Sequence, residues 1–257
     1  MRRSTLWKSK KELFQRLGVC AFWLAVWQAV SMAVGQEMLL ASPAATLRAL
    51  SGLLSTADTF GAIGGSFVRI FGGFALGMAL GALLAALSYR FGGVKVLLLP
   101  AMQGMKAMPV ASFVILLLVW FGSGYLSFWC CFLMVMPVSY VNLLKGFESM
   151  DKGILEMARV FRIRPLRRIR YLYLPHLTPF LLSALSLALG LCWKAGVAAE
   201  VIGLPNQSIG AALYESKIFL DTPNLFAWTL IILLISWGFE KIVMGLVRAA
   251  ARSIEGE

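Results

Sequence analysis

The sequence predicts an all-α membrane protein of six transmembrane helices with both termini on the cytoplasmic side. Three observations predict it. Of the 257 residues, 60% are hydrophobic; the apolar residues gather in six long runs; and the basic residues gather on one set of loops. The runs are roughly 17–34, 66–87, 97–120, 126–144, 177–199 and 225–247, each close to the ~20 residues needed to cross a hydrocarbon core. Together they use more than half of the chain, which leaves no room for a separate soluble domain. We divide the chain into a basic segment 1–16, a six-span domain 17–247 with a long cytoplasmic loop at 145–176, and a tail 248–257.

Charge fixes the orientation. With six spans, 19 of the 24 Lys and Arg residues fall on one side. They are Arg2, Arg3, Lys8, Lys10, Lys11 and Arg16; Arg90 and Lys95; Lys145, Lys152 and six arginines of the 145–176 loop; and Lys241, Arg248 and Arg252. The opposite loops carry only Arg48 and Lys217. Loops rich in Lys and Arg stay cytoplasmic. The net charge of +12 is therefore mostly topology, and no nucleic-acid partner is expected. A basic start followed by an apolar run also describes a signal peptide. This run exceeds the roughly 7–15 residues of such a segment and carries Phe22, Trp23 and Trp27, so it reads as a retained first span.

Between the first two runs, Ser42-Pro43 suits a helix start, and Leu47, Leu50, Leu53 and Leu54 recur at helical spacing. This predicts a short amphipathic helix at the outer interface, with a plain connecting loop as the alternative. The second run carries Gly73, Gly77 and Gly81 at every fourth position, a stripe that lets two helix backbones approach closely. The third run is interrupted by Pro100, Gly104 and Pro109, and such breaks tend to line cavities. It also holds Lys106, which either faces protein or water at depth, where a charge costs about 2.5–3.5 kcal/mol, or snorkels to the cytoplasmic end.

The fifth run places Ser183, Ser186, Gly190 and Lys194 on one helical face, with Glu200 at its outer end. The stripe either lines a pore or is a helix interface in which Lys194 pairs with an acid. A Lys194–Glu200 pair would need the helix to break, because six residues point the two side chains to different faces. In the outer loop 201–224, Ile209, Leu213 and Ile218 are spaced like a short helix. Cys20, Cys130, Cys131 and Cys192 all lie in apolar runs and read as small buried hydrophobes.

Enzymatic chemistry is not indicated. No Gly-Lys dipeptide exists, so there is no phosphate-binding loop of the Walker type. A single histidine, His176, excludes a two-histidine zinc motif and is placed at a helix end near the headgroups. Intramembrane acids are too few for a proton relay. No cofactor or metal is expected.

The loop "EMARVFRIRPLRRIRYLYLP", residues 156–175, holds six arginines: Arg159, Arg162, Arg164, Arg167, Arg168 and Arg170. Ile154, Met157, Ala158 and Phe161 follow the i, i+3, i+4, i+7 pattern of an apolar helix face. Such a face outside the bilayer needs a partner cleft; a basic segment lying on the inner leaflet is the competing reading.

This loop resembles the cytoplasmic signature of type I ATP-binding-cassette importer permeases: E-A-A, three residues, G, nine residues, I-x-L-P. Glu156-Met157-Ala158 stands at E-A-A, Arg162 at the glycine, and Leu172-Tyr173-Leu174-Pro175 at I-x-L-P. Met157 and Arg162 depart from the pattern, and the missing glycine puts the turn after the helix in question. "SPAATLRAL", "GGFALGMALG", "MKAMPVASFVILLLVWFG" and "CWKAGVAAEVIGLPNQSIGAALYESKIFLDTPNLFAWTLIIL" look, in order, like the branch importing nitrate, sulfonates and taurine. The resemblance implies a permease without its own ATPase site in a bacterial inner membrane. Its implied partners are two copies of an ATPase subunit, an extracytoplasmic binding protein and a second permease subunit, as a homodimer. It also implies that Ile154, Glu156, Met157, Ala158, Phe161 and Arg162 couple to the ATPase. Burial cost and the stripe nominate Lys106, Ser186, Gly190, Lys194 and Glu200 for the translocation path, with a small anion such as a sulfonate, taurine or nitrate as cargo; a vitamin precursor is the alternative cargo, and an ATP-independent channel or secondary carrier the alternative function.

Overall fold

The structure, a computed structural model, describes residues 3–255, with side chains at 15 and from 17 to 250. The N-terminal basic side chains up to Arg16, and Arg252, which contribute to the topology argument, lie outside the described residues. The elements described are α1 (Arg3–Val34), α2 (Pro43–Leu53), α3 (Ala57–Arg90), α4 (Gly92–Ala107), α5 (Val110–Phe121), α6 (Leu126–Glu148), α7 (Lys152–Val160), α8 (Pro165–Arg168), a π-helical turn (Ile169–Tyr173), α9 (Leu174–Gly203), α10 (Ile209–Ile218) and α11 (Thr222–Glu255). They group into two units. One is the chain up to Thr59 with Leu213–Ile231, and the other is Phe60–Ala212 with the chain from Ile232 on.

In the first unit, Ser42 caps α2 by accepting a hydrogen bond from Ala45 N at 3.1 Å. The preceding turn is pinned to α1: Trp27 Nε1 donates to Ala41 O at 3.0 Å and Ser31 Oγ to Leu40 O at 3.1 Å. Thr222 Oγ1 donates to Met38 O. The predicted helix is present, but its fully buried face is Ala45 and Thr46, while Leu47 and Leu54 are exposed. The short residues are the ones that fit beneath.

In the second unit, α3 and α6 pack backbone to backbone along the glycine stripe. A Cβ at Gly73 would collide with Phe128 O, one at Gly77 would lie 2.9 Å from Phe132 O, and one at Gly81 2.5 Å from Met136 O. The opposing carbonyls are themselves four residues apart, so two helical repeats run in register, and dispersion at short range holds them where lipid supplies no hydrophobic drive. Ser139 Oγ donates to Met78 O at 3.0 Å, and Tyr140 OH to Ser88 Oγ at 2.9 Å. Helix α9 joins the pair at Gly196, where a Cβ would stand 2.7 Å from Ile70 Cγ1 and 2.8 Å from Cys131 Sγ. Cys130, Cys131 and Cys192 are buried in this core, whereas Cys20 is exposed on α1, against expectation. A short thiol at position 20 meets no packed neighbour to bury it.

The third run is two helices. α4 and α5 meet at Ala107–Val110 with a bend of 105°. Pro100 stays inside α4; the break falls at Pro109, which is extended at the start of α5. Hydrogen bonds decide whether the pair crosses. Lys95 Nζ meets Glu148 Oε1 at 2.6 Å, so α4 starts at the inner end of α6. α5 ends at the short turn before Leu126, and Ser127 is tied to the outer ends of α3 and α9. The pair therefore runs from inner to outer end, as a broken span. With the five helices long and apolar enough to cross, Leu17–Val34, Ala57–Arg90, Leu126–Glu148, Pro165–Gly203 and Thr222–Ala250, this makes six.

Candidate functional site

At the outer ends of α3, α6 and α9, Glu200 is fully buried. Arg69 Nε donates to its Oε1 at 3.1 Å and Arg69 Nη2 lies 3.1 Å from the same atom. Ser66 Oγ donates to Oε2 at 2.5 Å, Ser127 Oγ to Oε1 at 3.1 Å and Gly210 N to Oε2 at 3.3 Å. Ser66 Oγ in turn accepts from Ile209 N at 2.9 Å, and Arg69 Nη2 donates to Gln207 O at 3.1 Å. The carboxylate thus joins α3, α6, α9 and α10. Gly210 is required here, because a Cβ would collide with Glu200. Sequence reasoning misses Arg69, whose place near the edge of an apolar run looks like a flanking charge.

Helix α9 continues without a break through Gly203, so Lys194 and Glu200 do not pair, and Glu200 sits in a closed knot rather than on an open surface. Lys194 lies about 9 Å inward along the helix axis at 1.5 Å per residue. Ser183, Ser186 and Lys194 are exposed and Gly190 half-buried, so the stripe is the side of α9 that its own core leaves uncovered. Lys194 has no hydrogen bond or ion pair among the described residues. With Gly190, Trp193 and Ser236 it lines a cleft of about 410 Å³. Lys106 is exposed in the last turn of α4, beside the break and about 16 Å along the helix from Lys95.

On the cytoplasmic side, Asp151 caps α7 through a 2.7 Å bond from Gly153 N. Glu156 is exposed, and Ile154, Met157 and Phe161 are 44%, 49% and 72% exposed, whereas Ala158 is fully buried. The apolar face therefore splits: three side chains look outward and Ala158 seats the helix on its own chain. Arg168 completes the seat, donating from Nε to Ile163 O at 2.8 Å and from Nη2 to Ala158 O at 3.0 Å.

Arg162 makes the turn that the signature leaves to glycine. Its φ is +50°. Ile163 N bonds to Ala158 O at 3.1 Å and Arg162 N to Arg159 O at 3.0 Å, the paired bonds of a Schellman helix end. A side chain in the left-handed region costs roughly 1–2 kcal/mol. Arg162→Gly is expected to keep coupling and to raise stability by up to about 1 kcal/mol, while Arg162→Val lowers it by more; thermal unfolding of the purified protein measures both.

Residues 77–256 match the family of binding-protein-dependent transport system inner membrane components. The chain is 26% identical over 234 residues to the aliphatic sulfonates transport permease protein SsuC of Bacillus subtilis (strain 168), covering 90% of this chain and 83% of the relative. It is 24% identical over 131 residues to the riboflavin transport system permease protein RibX of Chloroflexus aurantiacus, half of this chain and 48% of that one. The fold resembles a crystal structure of a bacterial ABC transporter involved in import of the acidic polysaccharide alginate, with TM-score 0.59, 15% identity and coverage of 97% and 99% of the two chains. With its family match over more than half the chain, the protein belongs to the binding-protein-dependent transport system inner membrane components, and is the membrane-embedded permease subunit of an ATP-binding-cassette importer rather than its catalytic subunit.

Proposed function

We propose that this permease passes a small anion, of sulfonate type, along the uncovered face of α9. Lys194, Ser186 and Gly190 border the path, Lys106 flanks it at the α4–α5 break, and the Glu200 knot anchors its outer end. On the cytoplasmic side, Ile154, Met157 and Phe161, with Glu156 and the turn at Arg162, dock into an ATPase subunit, present in two copies. A second copy of this permease completes the path, and an extracytoplasmic binding protein delivers cargo to it.

The observation that carries the cargo reading is Lys194, an exposed lysine with no acid partner among the described residues, on a small-residue face of an unbroken helix. A charge kept at depth without a counterion has a use for an anionic visitor. Lys194→Met is expected to lower sulfonate uptake efficiency about 10- to 100-fold, from hydrogen bonds to charged groups worth about 1.5–3 kcal/mol, while assembly is unchanged. Full uptake by an assembled Lys194→Met transporter removes the anion path. The similarity to a riboflavin permease favours a second reading, a ring-bearing neutral cargo; uptake of such a compound would then be indifferent to the charge at 194.

A further inference from the structure

We propose that Trp193 binds cargo directly, its indole N–H joining Lys194 and Ser236 in an oxyanion subsite that takes the sulfonate-type headgroup. The proposal rests on the reading of Lys194 as a path residue. Trp193 is 2% exposed and its Nε1 has no hydrogen-bond partner among the described residues. Buried donors left unpaired are rare, and each one calls for a reason. Packing does not supply it. The ring contacts Phe67 and Phe239, with centroids 6.2 and 6.3 Å away, and neither neighbour offers an acceptor; a phenylalanine would pack there without an orphan N–H.

Position supplies the reason. Trp193 lines the same cleft of about 410 Å³ as Lys194 and Ser236, a volume in the range of small-molecule sites. Neither Lys194 nor Ser236 has a hydrogen bond or ion pair among the described residues. The cleft thus carries an ammonium and a hydroxyl, two unspent donors, while Trp193 forms part of its wall with a third, the indole N–H, closed over, and no acidic side chain lines it. The remaining wall is aliphatic or small, which strengthens a hydrogen bond to an anion by excluding water. An indole N–H donates and cannot accept, so it selects for an oxygen-bearing anion over a cation. In this conformation the N–H is closed over, and it meets cargo when α9 and the Ile232–Ser236 segment of α11 part.

The experiment uses the whole transporter, permease with ATPase and binding protein, reconstituted in liposomes and given ethanesulfonate. Trp193→Phe keeps the aromatic packing and removes the donor. The result expected is at least a tenfold rise in the ethanesulfonate concentration giving half-maximal uptake, with the melting temperature of the purified permease unchanged or higher. If Trp193→Phe assembles poorly, benzothienylalanine at position 193, which keeps the two-ring shape and lacks the N–H, takes its place. Uptake indistinguishable from wild type in either variant, with Lys194→Met impaired, overturns the Trp193 subsite and leaves the anion path standing. Ethanesulfonate uptake that neither Lys194→Met nor the Trp193 variants alter overturns both readings.

Discussion

Replacing Glu200 by alanine is expected to be the most damaging single change in the chain. It removes the acceptor for Arg69, Ser66, Ser127 and Gly210 N at once, and leaves Arg69, whose side chain is 16% exposed, with only the Gln207 carbonyl. Removing one partner of a buried ion pair costs about 3–5 kcal/mol, a fall in melting temperature on the order of 10 °C for a chain of this size. Arg69→Met is expected to cost a similar amount. The double variant Arg69→Met/Glu200→Met should be less damaged than the sum of the two, because no uncompensated charge remains. Thermal unfolding of the detergent-solubilised protein gives all three values; strict additivity would show that the two residues do not act as a pair. Four helices share one carboxylate, so its loss is felt at α3, α6, α9 and the first turn of α10 together.

Charging the exposed face of α7 is expected to abolish coupling without touching the fold. Met157→Asp/Phe161→Asp alters two side chains that are half and almost three-quarters exposed in this chain. Burial of a Met or Phe side chain is worth about 1.5–3 kcal/mol, so losing both weakens ATPase docking by about 3 kcal/mol or more, over 100-fold. Membrane insertion and melting temperature should hold, and copurification of the ATPase should be lost. Retained copurification in the double-Asp protein would place the docking face elsewhere. Ala158 is a poorer probe: it is fully buried, and its carbonyl accepts from Ile163 N and Arg168, so a larger residue there unseats α7 rather than altering only its exposed face.

Residues legible in the sequence share one property: their meaning lies in local spacing. The helical repeat of Ile154, Met157 and Phe161, the Ser42-Pro43 helix start and the six apolar runs all declare themselves within a few turns. Gly73, Gly77 and Gly81 announce a close approach but not the partner, which is the Phe128, Phe132 and Met136 carbonyls of α6. Arg69 and Glu200 are 131 residues apart, and nothing local marks either for the other. In the third run Pro100, Gly104 and Pro109 all read as interruptions, and spacing does not say which of them breaks the helix. Pro100 lies within α4, where neighbouring helices tolerate it, and Pro109 begins α5. Arg162 shows the same limit at a single residue: its position in the signature is plain, but arginine carries no preference for φ of +50°, and the turn is imposed by the Schellman bonds and the Arg168 seat. The orphan indole of Trp193 has no sequence signal, because its significance is the absence of an acceptor in three dimensions.

The most direct measurement is ligand-stimulated ATP hydrolysis by this chain reconstituted with its ATPase and binding protein, across ethanesulfonate, nitrate and thiamine. A sulfonate-specific rise in hydrolysis that disappears with Met157→Asp/Phe161→Asp is the result expected. Flux of any of these compounds through liposomes holding this chain alone, without ATPase or nucleotide, would contradict a permease driven through α7.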